Sequence, residues 1–158
     1  MNYFELFEIP VSFKVDKNIL AQKYFALQKK YHPDFFTQET EYEQAEALEA
    51  SSQINKAFKT LKNEDETLKY VLQLKGLIED DEKYQLPPAF LMEMMELNEE
   101  LSENSQQQVS QLEAAIYQPV KHIIENFSAA TTTAELMLVK EYYYKKKYLQ
   151  RILDRIGD

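Results

Sequence analysis

Apolar residues recur at helical spacing along almost the whole chain. Leu20, Tyr24, Leu27 and Tyr31 fall four, three and four residues apart, one stripe on a helix that Asp16 is placed to cap and His32-Pro33 to end. Before it, residues 2–8 read as a short helix closed at Ile9-Pro10, because the residue before a proline is pushed out of the α region. A helix starting near Thr40 carries Ala47, Ala50, Ile54, Ala57, Phe58 and Leu61, and its small residues permit close packing. Residues 68–74 are richly apolar and stop at Lys75-Gly76, a good helix terminator. The acidic stretch 79–82, followed by Pro87-Pro88, reads as a linker.

Beyond it, Pro88 suits the first turn of a helix reaching about Leu101, with Phe90, Met94, Leu97 and Leu101 facing the core. Residues 105–127 predict a second helix kinked at Pro119, which has no N–H to donate. A third runs from about Thr133 to Ile156 on a stripe of Leu138, Tyr142, Leu149, Ile152, Leu153 and Ile156. The expected fold is all-α, with an N-terminal helical hairpin unit over residues 1–76, a linker over 77–87, and a three-helix bundle over 88–158 packed against the hairpin.

Composition narrows the function. In 158 residues, 44% hydrophobic and 13% aromatic content supports packed cores, and two glycines leave little material for the tight turns of a sheet. The absence of cysteine removes disulfides, thiol catalysis and cysteine-held metal sites. His32 and His122 lie far apart, so a histidine zinc site is poorly supported, and no cofactor is expected. No basic start with an apolar run marks a signal peptide, and no run approaches the roughly 20 apolar residues of a membrane span. A soluble protein is expected, one that stays where it is made or is a processed mature form. The net charge of −9 disfavours nucleic acid. Charge is uneven: five lysines against Asp16 make residues 14–31 net +4, whereas nine acids against Lys83 make residues 79–103 net −8. Two surfaces for two partners would account for that, as would two solvated helix faces.

The tripeptide His32-Pro33-Asp34 sits between the basic helix and the small-residue helix. A given tripeptide arises by chance in a chain of this length with a probability on the order of 1%. Ile54-Asn55-Lys56-Ala57-Phe58 and Leu61 then follow in the next helix. On these residues the segment resembles the J-domain family, whose helical hairpin presents a His-Pro-Asp loop to a DnaK-type chaperone. The resemblance makes residues 1–76 a J-domain and implies that His32, Pro33 and Asp34 activate the chaperone. Proline holds the loop backbone, Asp34 can accept charge-assisted hydrogen bonds from an arginine, and Lys23, Lys29 and Lys30 would steer the hairpin to an acidic surface. Phe35 departs from the lysine many J-domains carry after the aspartate, which bears on partner choice. A catalytic dyad of His32 and Asp34 is the rival from another class; no nucleophile is positioned beside it.

The helix starting near Pro88 carries a second apolar patch. Leu91, Met92 and Met95 project away from the Phe90/Met94 stripe, beside Glu96 and Glu99. A helix buried on two sides would explain this as well. The stretch from Ala89 to Leu101 and the whole layout, with no Gly/Phe-rich region, resemble the HscB-type J-proteins of iron–sulfur cluster assembly. That resemblance implies that Leu91, Met92, Met95, Glu96 and Glu99, with an aromatic from the last helix, hold an IscU-like scaffold protein. Tyr144, off the Tyr142/Leu149 stripe, is the aromatic expected. Asn98 stands where some relatives have a basic residue, and Glu64 and Thr67 where relatives have proline and arginine. The lack of the tetracysteine module of animal mitochondrial relatives favours a bacterial cytoplasmic protein. The implied role is a co-chaperone, not an enzyme, that brings the scaffold to an HscA-like DnaK-type chaperone and stimulates its ATPase. The alternative is a general J-protein for unfolded clients, which would call for a client-binding domain.

Overall fold

The computed structural model describes residues 1–156, and every regular element among them is helical, as expected of an all-α chain. The chain divides into two compact units, Met1–Val71 and Leu72–Asp158.

The first unit opens with α1 (Tyr3–Leu6), capped by the Asn2 side chain, which accepts from the Glu5 N–H. Asp16 caps α2 (Lys17–Tyr31) by accepting from the N–H groups of Asn18 and Ile19. Thr40 caps α3 (Glu41–Leu61) in the same way, accepting from Glu43. The two long helices form the expected hairpin. Leu20 from α2 and Ala47, Ser51, Ile54, Ala57 and Leu61 from α3 are buried, joined by Phe4, Phe7 and Phe13 from the N-terminal segment. Each large side chain so buried contributes about 1.5–3 kcal/mol. Tyr24 stacks on Phe58 at 4.0 Å. Its hydroxyl and the Gln28 amide both donate to Asn55 Oδ1, each at 2.8 Å. Asn55 thereby ties α2 to α3 one turn before the His32 loop.

Asn63 caps α4 (Glu64–Leu74), its side chain accepting from the Glu66 N–H. Thr67 is fully buried, and its hydroxyl donates to the Asn63 carbonyl at 2.8 Å. The helix ends as Lys75-Gly76 predicts. Gly76 has φ +73°, its N–H bonds to the Gln73 carbonyl, and the Leu77 N–H reaches back to Leu72.

The second unit holds α5 (Pro88–Glu99), α6 (Ser105–Tyr117), α7 (Lys121–Glu125) and α8 (Thr133–Ile156). Pro119 breaks the predicted long helix: residues 118–120 form a 3₁₀ turn between α6 and α7. Phe90, Met94, Val109, Leu149 and Ile152 make the core where α5, α6 and α8 meet.

Two stripe residues differ from expectation. Leu101 lies beyond the end of α5 and is 40% exposed, because the helix stops at Glu99 and the register is lost. Leu138 is 50% exposed, while Leu136, Val139 and Tyr143 are buried. The cause is that α8 packs on α6 and α7 and shares a core with α5, so no single stripe serves all of them. Among the described residues no helix is long and apolar enough to cross a membrane.

Candidate functional site

His32 closes α2. Its backbone N–H donates to the Gln28 carbonyl at 2.9 Å, and its φ −62°, ψ 131° is the extended conformation that a following proline imposes. Pro33–Phe36 then forms a 3₁₀ turn, in which the Phe35 N–H bonds to the His32 carbonyl at 3.0 Å. The Asp34 N–H donates to His32 Nδ1 at 3.2 Å, and an Asp34 carboxylate oxygen lies 3.6 Å from the same nitrogen. In the neutral ring this leaves Nε2 to carry the proton. The His32 side chain is 46% exposed and that of Asp34 is 85% exposed. An accessible donor and an accessible carboxylate thus stand on a backbone that proline and a helix end hold still. Phe35, next after the aspartate, is largely exposed and lies T-shaped to the His32 ring, their centroids 6.1 Å apart.

The lysines divide. Lys23 lies 3.8 Å from the Glu8 carboxylate, whereas Lys29 and Lys30 are exposed near the turn, with Lys30 over the ring of Tyr31 at 5.1 Å.

In the second unit, α5 buries Phe90 and Met94 and turns Met92 and Met95 outward, 64% and 58% exposed. Glu96 and Glu99 are exposed beside them, and Leu91 is half-buried. Two large apolar side chains on solvent at adjacent turns form an adaptable contact surface. Asn98 Oδ1 accepts from Arg155 Nη1 at 3.0 Å, which sets a cation from α8 beside the end of α5.

Tyr144 and Leu91 line the same open groove, of about 600 Å³. The tyrosine is half-buried, and its hydroxyl has an internal partner: it donates to Glu82 Oε2 at 2.8 Å. Its ring stacks on Tyr84 at 4.5 Å and 7°. The other Glu82 oxygen accepts from Lys140 Nζ at 2.8 Å. The Lys140 hydrogen bond is the main cause that holds the Glu82 carboxyl below its usual range. Burial, then the Glu82 hydrogen bond, pushes the Tyr144 hydroxyl well above the usual tyrosine range. Residues 82–84, read from the sequence as linker, therefore form a strap bound to α8. Sequence reasoning missed Glu82, Tyr84 and Lys140. Only the periodicity of Lys140 with Tyr144, four residues apart on one helix face, pointed that way.

A co-chaperone protein HscB homolog of Vibrio vulnificus is 30% identical over an alignment covering 99% of this chain and 95% of that protein. The homolog of Psychromonas ingrahamii is 32% identical over 96% of this chain and 92% of its own length. This chain belongs to the HscB family. The family model of the HSCB C-terminal oligomerisation domain matches residues 86–157, the region that holds α5 to α8. A local match of 44% identity over 102 residues to the HscB homolog of Vibrio cholerae serotype O1 spans 60% of that relative's length. Among solved structures, chaperone HscB from Vibrio cholerae aligns over 99% of this chain and 96% of its own, at 29% identity and a TM-score of 0.71. Human co-chaperone protein HscB aligns over 99% and 81%, at 32% identity and a TM-score of 0.75.

Proposed function

We propose that this protein is a bacterial cytoplasmic co-chaperone that binds an iron–sulfur scaffold protein through α5 and delivers it to a DnaK-type chaperone whose ATPase it stimulates through His32-Pro33-Asp34. The observation that carries the reading is the pairing, in one chain of the HscB family, of an exposed His32/Asp34 turn with an exposed Met92/Met95 face edged by acids. The protein has no chemistry of its own in this scheme. It raises the concentration of the scaffold at the chaperone, and the turn then triggers hydrolysis. The cluster is cargo on the scaffold.

Asp34 accepts hydrogen bonds from a basic group of the chaperone, and Lys29 and Lys30 speed the encounter with an acidic surface. Leu91, Met92 and Met95 supply the apolar contact to the scaffold, with Glu96 and Glu99 selecting a basic rim and Tyr144 flanking Leu91. The test has two arms, with HscA-like chaperone and IscU-like scaffold. His32→Gln is expected to abolish ATPase stimulation and leave scaffold affinity unchanged. Leu91→Ala/Met92→Ala/Met95→Ala is expected to weaken scaffold binding about 100-fold or more, at roughly 1–2 kcal/mol per side chain. Stimulation surviving His32→Gln would refute the activation assignment, and parental scaffold affinity in the triple variant would refute the docking assignment.

A further inference from the structure

The groove beside Leu91 carries a charge opposite to that of the protein around it. The chain is net −9, and α5 turns Glu96 and Glu99 outward. The groove, however, is lined by Lys83 from the strap and by Lys147 and Arg151 from α8. The carboxylate that also lines it, Glu82, is already engaged by Lys140 and by the Tyr144 hydroxyl. Among the described residues, neither Lys83 nor Arg151 has an acidic partner within ion-pair distance. Lys147 rests against the face of Tyr143, 5.8 Å from the ring centroid.

The arrangement follows from helical spacing. Positions 147, 148 and 151 lie three, four and seven residues after Tyr144 and share one face of α8 with it. That face presents two tyrosines for apolar contact and two cations for charge. Leu91 stands across the groove from them and belongs at once to the groove and to the Met92/Met95 patch.

A partner seated on Leu91 and Tyr144 covers this groove. Doing so takes three cations out of water, which is unfavourable unless each gains a counter-charge. A stable complex therefore needs negative charge on the partner at this place.

We propose that the groove receives a carboxylate-bearing segment of the docked scaffold protein: an Asp or Glu set among Lys83, Lys147 and Arg151, next to an apolar residue on Leu91 and Tyr148. This rests on the docking assignment made above and adds its polarity. The partner surface is acidic on the groove side of Leu91 and basic on the Glu96/Glu99 side. The complex can then form in one orientation, since reversal sets like charges against each other on both sides.

The experiment titrates scaffold protein into the full-length chain, Lys147→Glu/Arg151→Glu, and Leu91→Ala/Met92→Ala/Met95→Ala, at about 50 and about 200 mM salt. Both cations are exposed, so the double variant should keep the parental helix content and melting temperature. Expected is an affinity loss of about tenfold or more at low salt, with a shallower salt dependence, and recovery in Lys147→Arg/Arg151→Lys. If the parent does not bind scaffold, or the apolar triple variant binds as the parent does, the docking assignment fails and this proposal falls with it. If the triple variant loses binding while Lys147→Glu/Arg151→Glu keeps parental affinity and salt dependence, the groove assignment alone is overturned. Inorganic phosphate and a single-stranded oligonucleotide serve as counter-probes. Should the charge-reversed variant lose one of these anions and keep the scaffold, the groove is an anion site unconnected with docking, and the proposal is wrong.

Discussion

Glu82 joins three groups that the sequence keeps far apart. Its two carboxylate oxygens accept from Lys140 and from Tyr144, on either side of one turn of α8. Lys140 is itself buried, and its ammonium has that carboxylate 2.8 Å away as its counter-charge. Glu82→Gln is expected to destabilise the protein by about 2–3 kcal/mol, read by chemical denaturation, since it leaves a buried ammonium with a neutral partner. The same contact sets a pH dependence. The folded-state pKa of Glu82 is lowered, chiefly by Lys140, so the folded protein binds this proton less readily than the unfolded chain. The stabilisation is complete above the unfolded carboxylate pKa and is lost as pH falls through the lowered folded value. Denaturation midpoints followed from about pH 6 to about pH 3 should drop more steeply in the parent than in Glu82→Gln. Equal slopes would mean that this carboxylate does not titrate as described. Tyr144→Phe should cost less, about 1 kcal/mol, because the ring still stacks on Tyr84.

The ends of the helices show how far local sequence reaches. Asp16 and Thr40 cap α2 and α3 as their residue types predict, and Pro119 interrupts the second helix of the bundle where it must. Gly76 is the sharpest case. Its φ of +73° belongs to the left-handed region, and a Cβ added there would meet nothing within 4 Å. The penalty for Gly76→Ala is then backbone strain alone, an expected loss of about 1–2 kcal/mol in unfolding free energy with unchanged helix content. A loss near zero would show that the α4 terminus relaxes without that turn. The stripes were less legible than the caps. Leu101 and Leu138 have the right spacing and remain exposed, because periodicity gives a face but neither the residue where a helix stops nor the number of neighbours it packs against. Nothing local in the sequence marks Thr67 as a buried donor, a role it takes only where α3 turns into α4.

For the molecule as a whole, the proposed function places two tasks on one chain, one in each compact unit. If delivery depends on both surfaces being covalently joined, two variants that each lack one of them cannot help each other. An equal mixture of His32→Gln and Leu91→Ala/Met92→Ala/Met95→Ala should therefore stay far below the parent in scaffold-dependent ATPase stimulation, with parental stability in each component. Recovery to half the parental rate would mean that the two surfaces act independently and that recruitment is not the mechanism.

The sequence alone determined the helical class, the caps and breaks, the His32-Pro33-Asp34 turn and the family resemblance. These depend on neighbours within a turn or two, or on a motif read letter by letter. Only the tertiary structure decided what stands around Tyr144. Its stacking on Tyr84, its bond to Glu82 more than sixty positions earlier, and the cation-lined groove it shares with Leu91 follow from a strap laid across a helix. In the sequence that strap is an acidic stretch with a linker's composition. Composition records charge but not the partner that neutralises it, and Lys140 becomes that partner only once α8 is packed and the strap is drawn over it.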